Sequence, residues 1–478
     1  MNESARRIEA PDSERTHQPD GSGFGVCFRP TRLTLLVLVA WVVLLVGVRL
    51  LGLHVVATRD ADLKLRAIPL YGDWQWGISW WLLAPIVAGS VFIAVLPPLV
   101  QRWSWRGVLA ATAAAGVVFS LALALAETHP TVWSDIHHTY AGHIGFIDDA
   151  GGVEPFLREY AESQLIPAYP VHLRSHPPGL LLFFWWAAEA GVSGVVFQNV
   201  VAMAGAAAMI VAALAILRDV ASERTARAAA PFLVVVPAAV WQTNADIIFA
   251  GAGLAAVACL ILATGRSGRE TVAFTVAGGL LAGIALMLSF GIALLAIPVV
   301  VIAVWRKRWW VLVGGGALAA VVVALPLVWG YWWVEGLGAT RVRYFDGVAS
   351  ARGYWYFLIA NPAVYALALG PAIVVALSRL RDRRVWLVVG AGLAVVAMAN
   401  LSGLSSGETE RIWQPFMPLV LLAGCALDRT SGASCGSSAG GPALQDAADR
   451  RALGEVRGWL TLQLVVTVAL VAALRVPW

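Results

Sequence analysis

Apolar runs long enough to cross a bilayer recur along almost the whole of this chain, and they constrain its fold more than any motif does. Spanning a hydrocarbon core takes roughly 17–25 apolar residues as helix, and each backbone group in lipid must find its partner within the protein. Thirteen stretches read as such spans: 33 to 53, 77 to 99, 107 to 126, 194 to 217, 228 to 243, 247 to 264, 271 to 288, 291 to 305, 309 to 333, 357 to 378, 385 to 402, 412 to 428 and 459 to 476. A mean hydropathy of +0.75, with 59% hydrophobic and 13% charged residues, excludes a soluble globular domain. The expected fold class is therefore all-α, a polytopic membrane protein of about 13 transmembrane helices carrying an external loop with a juxtamembrane helix.

The net charge of +5 would suggest nucleic acid in a soluble protein. Here the basic residues sit in short loops between spans, where they set orientation, and no nucleic-acid partner is expected. One apolar stretch, Pro178 to Ala190, decides the topology, because it is short and contains Glu189. If it crossed, the arginines at 218, 224 and 227, at 266 and 269, at 306 and 308, and at 379 to 384 would all face outward. Treated as a helix at the outer interface, with Phe183, Phe184, Trp185 and Trp186 in the headgroup layer, it leaves 23 of the 34 Lys and Arg inside and 9 outside. The N-terminus is then cytoplasmic and the C-terminus external, in a multi-pass protein of the plasma membrane.

That topology gathers five segments on one face: 54 to 76, 127 to 193, 244 to 246, 334 to 356 and 403 to 411. The other face offers short basic turns and a Gly/Ser-rich linker, 429 to 458. Residues 1 to 32 read as a disordered cytoplasmic tail, not a removed signal peptide. The tryptophans at span ends (Trp80, Trp81, Trp103, Trp105, Trp309, Trp310, Trp332, Trp333) read as interfacial anchors. Cys27, Cys259, Cys425 and Cys435 have neither pairing nor metal spacing.

Chemistry-bearing residues concentrate in the stretch 127 to 191. It holds six of the eight histidines, namely His129, His137, His138, His143, His172 and His176, together with Asp135 and several other carboxylates. Asp135 follows the third span closely, where a carboxylate could act as general base on a hydroxyl; it could equally cap the next helix. His137, His138 and His143, with Tyr140, could bind phosphate or position a sugar, although their spacing does not repeat on one helix face and gives no preformed metal site. Asn244 and Asp246 interrupt two spans, as a functional site or as a helix cap. Arg341, Arg343 and Arg352, and then Glu408, Glu410 and Arg411, supply external charge, and a guanidinium fork suits a phosphate. Asp60 and Asp62 in RDAD read as loop surface.

A membrane helix followed by an acidic residue of the SD type at Ser134 and Asp135, an external loop, RSHPPG from Arg174 to Gly179 opening an aromatic-rich short helix, and an Asp beginning a later span together resemble the GT-C glycosyltransferases. The likeness is to the branch with protein O-mannosyltransferases, aminoarabinose transferases and actinobacterial polyprenol-phosphate-dependent mannosyl- and arabinosyltransferases. It covers about residues 107 to 428, leaving 33 to 106 as two additional N-terminal helices and 459 to 478 as a C-terminal one. Two departures stand out: the acidic site is a single Asp135, and Ser289 and Phe290 stand where many relatives carry a lysine.

The resemblance implies an inverting transfer of mannose or another hexose or pentose from a polyprenyl-phosphate donor to an extracytoplasmic glycan, lipid or protein acceptor. In it Asp135 is the catalytic base, and His137, His138, Arg174, His176, Asp246, Arg341, Arg343 and Arg411 are substrate or phosphate ligands. It calls for no required cofactor, with a divalent metal left open. The alternatives are a transporter or flippase of an envelope lipid, or a relative that binds lipid without catalysis. The first would need charged residues in mid-span, and 247 to 264 and 271 to 305 contain no Asp, Glu, Lys or Arg.

Overall fold

The computed structural model describes residues 31–59, 62–128, 138–428 and 442–476. In chain order the helices that matter here are α1 (Arg32–Arg59), α2 (Leu83–Arg102), α3 (Trp105–Thr128), α4 (His138–Ala141), α5 (Val153–Ser163), α6 (Val171–Ser175), α7 (Gly179–Glu189), α8 (Val195–Val220) and α9 (Glu223–Ala229). They continue with α10 (Ala245–Thr264), α11 (Gly268–Leu288), α12 (Ala296–Trp305), α13 (Trp309–Ala324), α14 (Trp333–Asp346), α15 (Tyr354–Arg379), α16 (Arg383–Leu401), α17 (Thr409–Ile412) and α18 (Pro442–Ala473). Among the described residues the only strands are the two-residue pair β1 (Asp73–Trp74) and β2 (Leu474–Arg475), antiparallel to each other. The protein is an all-α, multi-pass membrane protein, and among the described residues ten helical stretches are long and apolar enough to cross a bilayer.

Three of the thirteen expected spans take a different form. Residues 291 to 305 fall in a shorter apolar helical stretch, Phe290–Trp305. Residues 228 to 243 and 412 to 428 are not continuous helices but successions of short α and 3-10 turns. Prolines explain the breaks: Pro231 and Pro237 in the first, Pro415 and Pro418 in the second, each removing a backbone donor and clashing with the preceding turn. Irregular backbone at membrane depth survives only inside protein. Accordingly every residue from 231 to 244 and from 413 to 425 is buried.

Side-chain contacts divide the bundle into two ends. At one, Asp219 binds Arg266 at 2.7 Å and Arg306 at 2.6 Å, Arg379 binds Glu455 at 2.8 Å, and Arg227 reaches the Trp103 carbonyl at 2.9 Å. At the other, Arg352 donates to the Leu63 carbonyl at 3.0 Å, Glu410 accepts the Tyr71 amide at 2.9 Å, Arg411 pairs with Asp246 at 3.1 Å, and Thr340 donates to the Arg174 carbonyl at 3.2 Å. The five polar segments expected on one face therefore do meet at one end.

Helices α3 and α8 pack antiparallel: Arg218 stacks over Trp105 at 4.8 Å, while at the other end Gln198 accepts the Ala141 amide at 3.2 Å. The segment joining them thus starts and finishes at the same end. Helix α7, inside that segment, has 11 residues, about 16 Å of rise, well short of a hydrocarbon core. It does not cross. Small residues let helices close in where the core is tightest: a Cβ on Gly251 of α10 would meet the Gly205 carbonyl of α8 at 2.5 Å.

The tryptophans split in role. Trp80, Trp103 and Trp309 are exposed, as anchors would be. Trp333 instead packs edge-on against Phe290 and donates its indole N–H to the Leu286 carbonyl at 2.9 Å, and Trp105 serves as the stacking platform for Arg218.

Candidate active site at the loop end of the bundle

The segment around RSHPPG is held from two sides before any ligand arrives. From α5, Tyr160 Oη lies 2.8 Å from the Leu173 carbonyl and 3.1 Å from that of His176, and Gln164 Nε2 donates to the same two carbonyls at 3.3 and 3.2 Å. From α14, Thr340 bonds the Arg174 carbonyl, and Arg343 donates to the Ser175 hydroxyl. Gly179, which opens α7, lies so close to α11 that a Cβ there would meet the Met287 carbonyl at 2.4 Å. These contacts engage the carbonyls of Leu173, Arg174 and His176. They hold the backbone that carries His176 and follows His172.

His172 sits 6.0 Å, ring to ring, from Tyr140 of α4, and His176 sits 5.0 Å from Phe249 of α10, one turn beyond Asp246. Desolvation, reinforced by the Arg411, Arg343 and His143 charges, pushes His172 down to about 4. Desolvation, with His172, Arg411 and Arg343 adding to it, pushes His176 down to about 3. His176 is half-buried, and its Nδ1 is enclosed with no hydrogen-bond partner among the described residues. Both rings are therefore neutral at pH 7, able to accept or donate one hydrogen bond on each nitrogen.

Below the histidines runs a chain of buried ions. Arg411 gives Nη1 to Asp246 Oδ2 and Nη2 to Glu408 Oε2, both at 3.1 Å. Glu408 Oε1 accepts from Arg352 at 3.0 Å, and Arg352 also holds the Leu63, Lys64 and Ser406 carbonyls. Asn244 caps α10 by accepting the Asp246 amide at 3.0 Å, so the functional and capping readings of 244 to 246 describe the same structure. Glu408 takes a left-handed conformation, φ 60° and ψ 20°, which a non-glycine residue holds only when its surroundings impose it. Here two arginines do so.

Of the residues singled out from sequence, His176, Asp246, Arg343 and Arg411 come together here. Arg174 does not: Nε and Nη1 tie down the Gln164 and Pro167 carbonyls at 3.1 and 2.9 Å. Nor does Arg341, which is exposed on α14 and lies over Phe345 at 5.9 Å. Asp135 and His137 lie outside the described residues, as does the side chain of His138, whose backbone opens α4. Sequence reading named Arg352 and Glu408 only as external charges and His172 only as one of six loop histidines, without a ligand role for any of them; nothing local to these residues signals their partnership. Asp62, from the RDAD run, is exposed and paired with Lys64. Among the described residues no three His, Cys, Asp or Glu side chains are arranged to hold a metal ion.

Beside the cluster an apolar cavity of about 300 Å³ opens between α4, α7 and the start of α8, lined by Ala141, Ile144, Phe184, Val195 and Phe197 among others. Tyr140 and Ala141 are successive residues, one facing the histidines and the other this cavity.

No protein-family model matches the chain, and no curated protein does. Among solved structures it is similar to ArnT from Cupriavidus metallidurans in the apo state, with a TM-score of 0.39 and 18% identity over 67% of this chain and 72% of that one. It is also similar to the same protein bound to undecaprenyl phosphate, with a TM-score of 0.42 and 18% identity over 74% of this chain and 76% of that one. Likeness at this level fixes no residue correspondence.

Proposed function

We propose that the protein is a membrane glycosyltransferase of GT-C type that takes its sugar from a polyprenyl-phosphate donor and works on the extracytoplasmic face. The observation that carries this reading is the juxtaposition, at one end of a membrane bundle, of an unmatched cation, a neutral histidine pair and an apolar cavity. A lipid-linked monophosphate needs those three environments together: an apolar one for its chain, a cationic one for its phosphate and a polar one for its sugar.

The phosphate ligand is Arg343 rather than Arg411. Both Nη atoms of Arg411 face carboxylates, so its charge is already matched. Arg343 is half-buried, donates to the neutral Ser175 hydroxyl, and pairs with no carboxylate among the described residues. Loss of water and the neighbouring Arg174 charge press its pKa downward. A desolvated cation without a counter-ion gains most from an incoming phosphate. Asp135, eight residues after the end of the α3 span at Glu127, would take the proton from the acceptor hydroxyl as it attacks the anomeric carbon, with polyprenyl phosphate leaving from the opposite side.

The test compares Arg343→Gln with Arg341→Gln in nanodiscs, using farnesyl phosphate as the lipid probe. A charge-assisted contact contributes about 1.5–3 kcal/mol, so Arg343→Gln weakens binding by about 10- to 100-fold and Arg341→Gln leaves it unchanged. Equal binding by both variants and the unmodified protein would remove Arg343 from phosphate recognition. A protein that moves lipid without sugar transfer would bind the probe, release no polyprenyl phosphate from a sugar donor, and so favour the transporter reading.

A further inference from the structure

Three enclosed polar atoms at the loop end of the bundle have no hydrogen-bond partner among the described residues: Tyr140 Oη, Asn244 Nδ2 and His176 Nδ1. Their residues are placed there independently. Asn244 is bonded through its oxygen to the Asp246 amide, His176 packs on Phe249 one turn along the same helix, and the Tyr140 ring lies 6.0 Å from that of His172. Tyr140 is 2% exposed and Asn244 4% exposed. Leaving one buried polar atom unsatisfied costs about 1–3 kcal/mol, so three at this end of the bundle point to a polar occupant.

We propose that Tyr140, Asn244 and His176, with Asp246, form the subsite for the transferred sugar, and that it selects a neutral ring bearing hydroxyls over an amino or uronic sugar. This rests on the reading above. Asn244 Nδ2 donates to a ring hydroxyl, Tyr140 Oη donates to or accepts from another, and the Asp246 carboxylate accepts from a third; His176 Nδ1 closes the set. Selection for neutrality follows from the ions already present. Arg411 is matched by Asp246, and Glu408 by Arg352, so a charged substituent entering here would be buried without a counter-ion. Burial pushes the Glu410 carboxyl up to about 7, so its charge is only partly developed at neutral pH.

The experiment measures equilibrium binding to the full chain in nanodiscs of three probes: farnesyl phosphate, its mannosyl ester and its glucosaminyl ester. Tyr140→Phe removes only a hydroxyl that has no partner among the described residues, and Asn244→Ser keeps a capping oxygen while deleting the amide donor, so both variants are expected to fold. Each weakens the mannosyl probe by about fivefold to tenfold, the size of one neutral hydrogen bond, and leaves bare farnesyl phosphate unchanged. Arg343→Gln, in contrast, weakens all three. The mannosyl probe binds the unmodified protein tighter than the glucosaminyl one. If Tyr140→Phe and Asn244→Ser bind the sugar-bearing and bare probes as the unmodified protein does, the enclosed atoms hold only water and the subsite is overturned while the phosphate site stands. Tighter binding of the glucosaminyl probe would overturn the selectivity. Failure of the unmodified protein to bind any probe would overturn both this inference and the function it rests on.

Discussion

Arg411 is the residue whose loss should cost the fold most, and the structure says by how much. It lies between Asp246 and Glu408, 3.1 Å from each, and the three side chains are mostly enclosed. Arg411→Met keeps the apolar stem of the side chain and removes its charged guanidinium. Glu408 would retain Arg352 at 3.0 Å, so the uncompensated charge falls chiefly on Asp246, whose side chain is 8% exposed. Breaking a buried pair in this way costs about 3–5 kcal/mol. That lowers the folded-to-unfolded ratio by two to nearly four orders of magnitude.

Adding Asp246→Asn removes the stranded charge. The double variant should therefore recover most of the loss, returning to within about 1–2 kcal/mol of the starting protein. Unfolding can be followed by thiol labelling, because Cys425 is buried and Cys259 half-buried; Cys27 and Cys435 are replaced by serine so that only these two report. A loss below about 1 kcal/mol for Arg411→Met, or a double variant no better than the single, would refute the idea that Asp246 depends on Arg411 for its counter-charge.

The histidines make stability depend on pH, and the sign is fixed. With folded values of about 4 and about 3 for His172 and His176 against an unfolded value near 6.5, the unfolded chain binds protons first; stability is complete above about pH 6.5 and falls as pH drops toward 4. Thermal midpoints across pH 7 to 4 should show that decline, and His172→Gln should make it shallower; an unchanged slope would place the acid-labile group elsewhere. Gly251→Val puts a branched side chain where a Cβ already meets the Gly205 carbonyl at 2.5 Å, so α8 and α10 must separate and the yield of folded protein in detergent should fall sharply, whereas Gly316→Ala, which faces open space, should not change it. Orientation is open to cysteine labelling in intact cells: Ala190→Cys, in the exposed turn after α7, should react with an impermeant maleimide and Ser222→Cys, at the opposite end, should not. The reverse pattern would invert the bundle.

Hydropathy and arginine placement made most of this architecture legible, because each depends on the local run of residues. The ten long helices, the non-crossing α7 and the gathering of five polar segments at one end could all be read that way. The broken passages at 228 to 243 and 412 to 428 could not, since averaging apolar character hides prolines that matter only once neighbours enclose the backbone. The site was legible as a neighbourhood rather than as partnerships. Arg411 and Asp246 lie 165 positions apart, and nothing around either names the other. Arg174 and Arg343 look alike in sequence, yet one ties down two loop carbonyls and the other faces the histidines with its charge unmatched. What separates them is the fold of the 160s loop, which no spacing encodes.

The central claim is sugar transfer from a polyprenyl phosphate, and its most direct measurement is release of farnesyl phosphate from farnesylphosphoryl sugars by the purified protein in proteoliposomes, with crude envelope glycan as acceptor. Release by the unmodified protein that is lost in Asp135→Asn, with binding of farnesyl phosphate retained, is the expected result. Equal release by both proteins, or none by either with every neutral hexose and pentose donor, would contradict it.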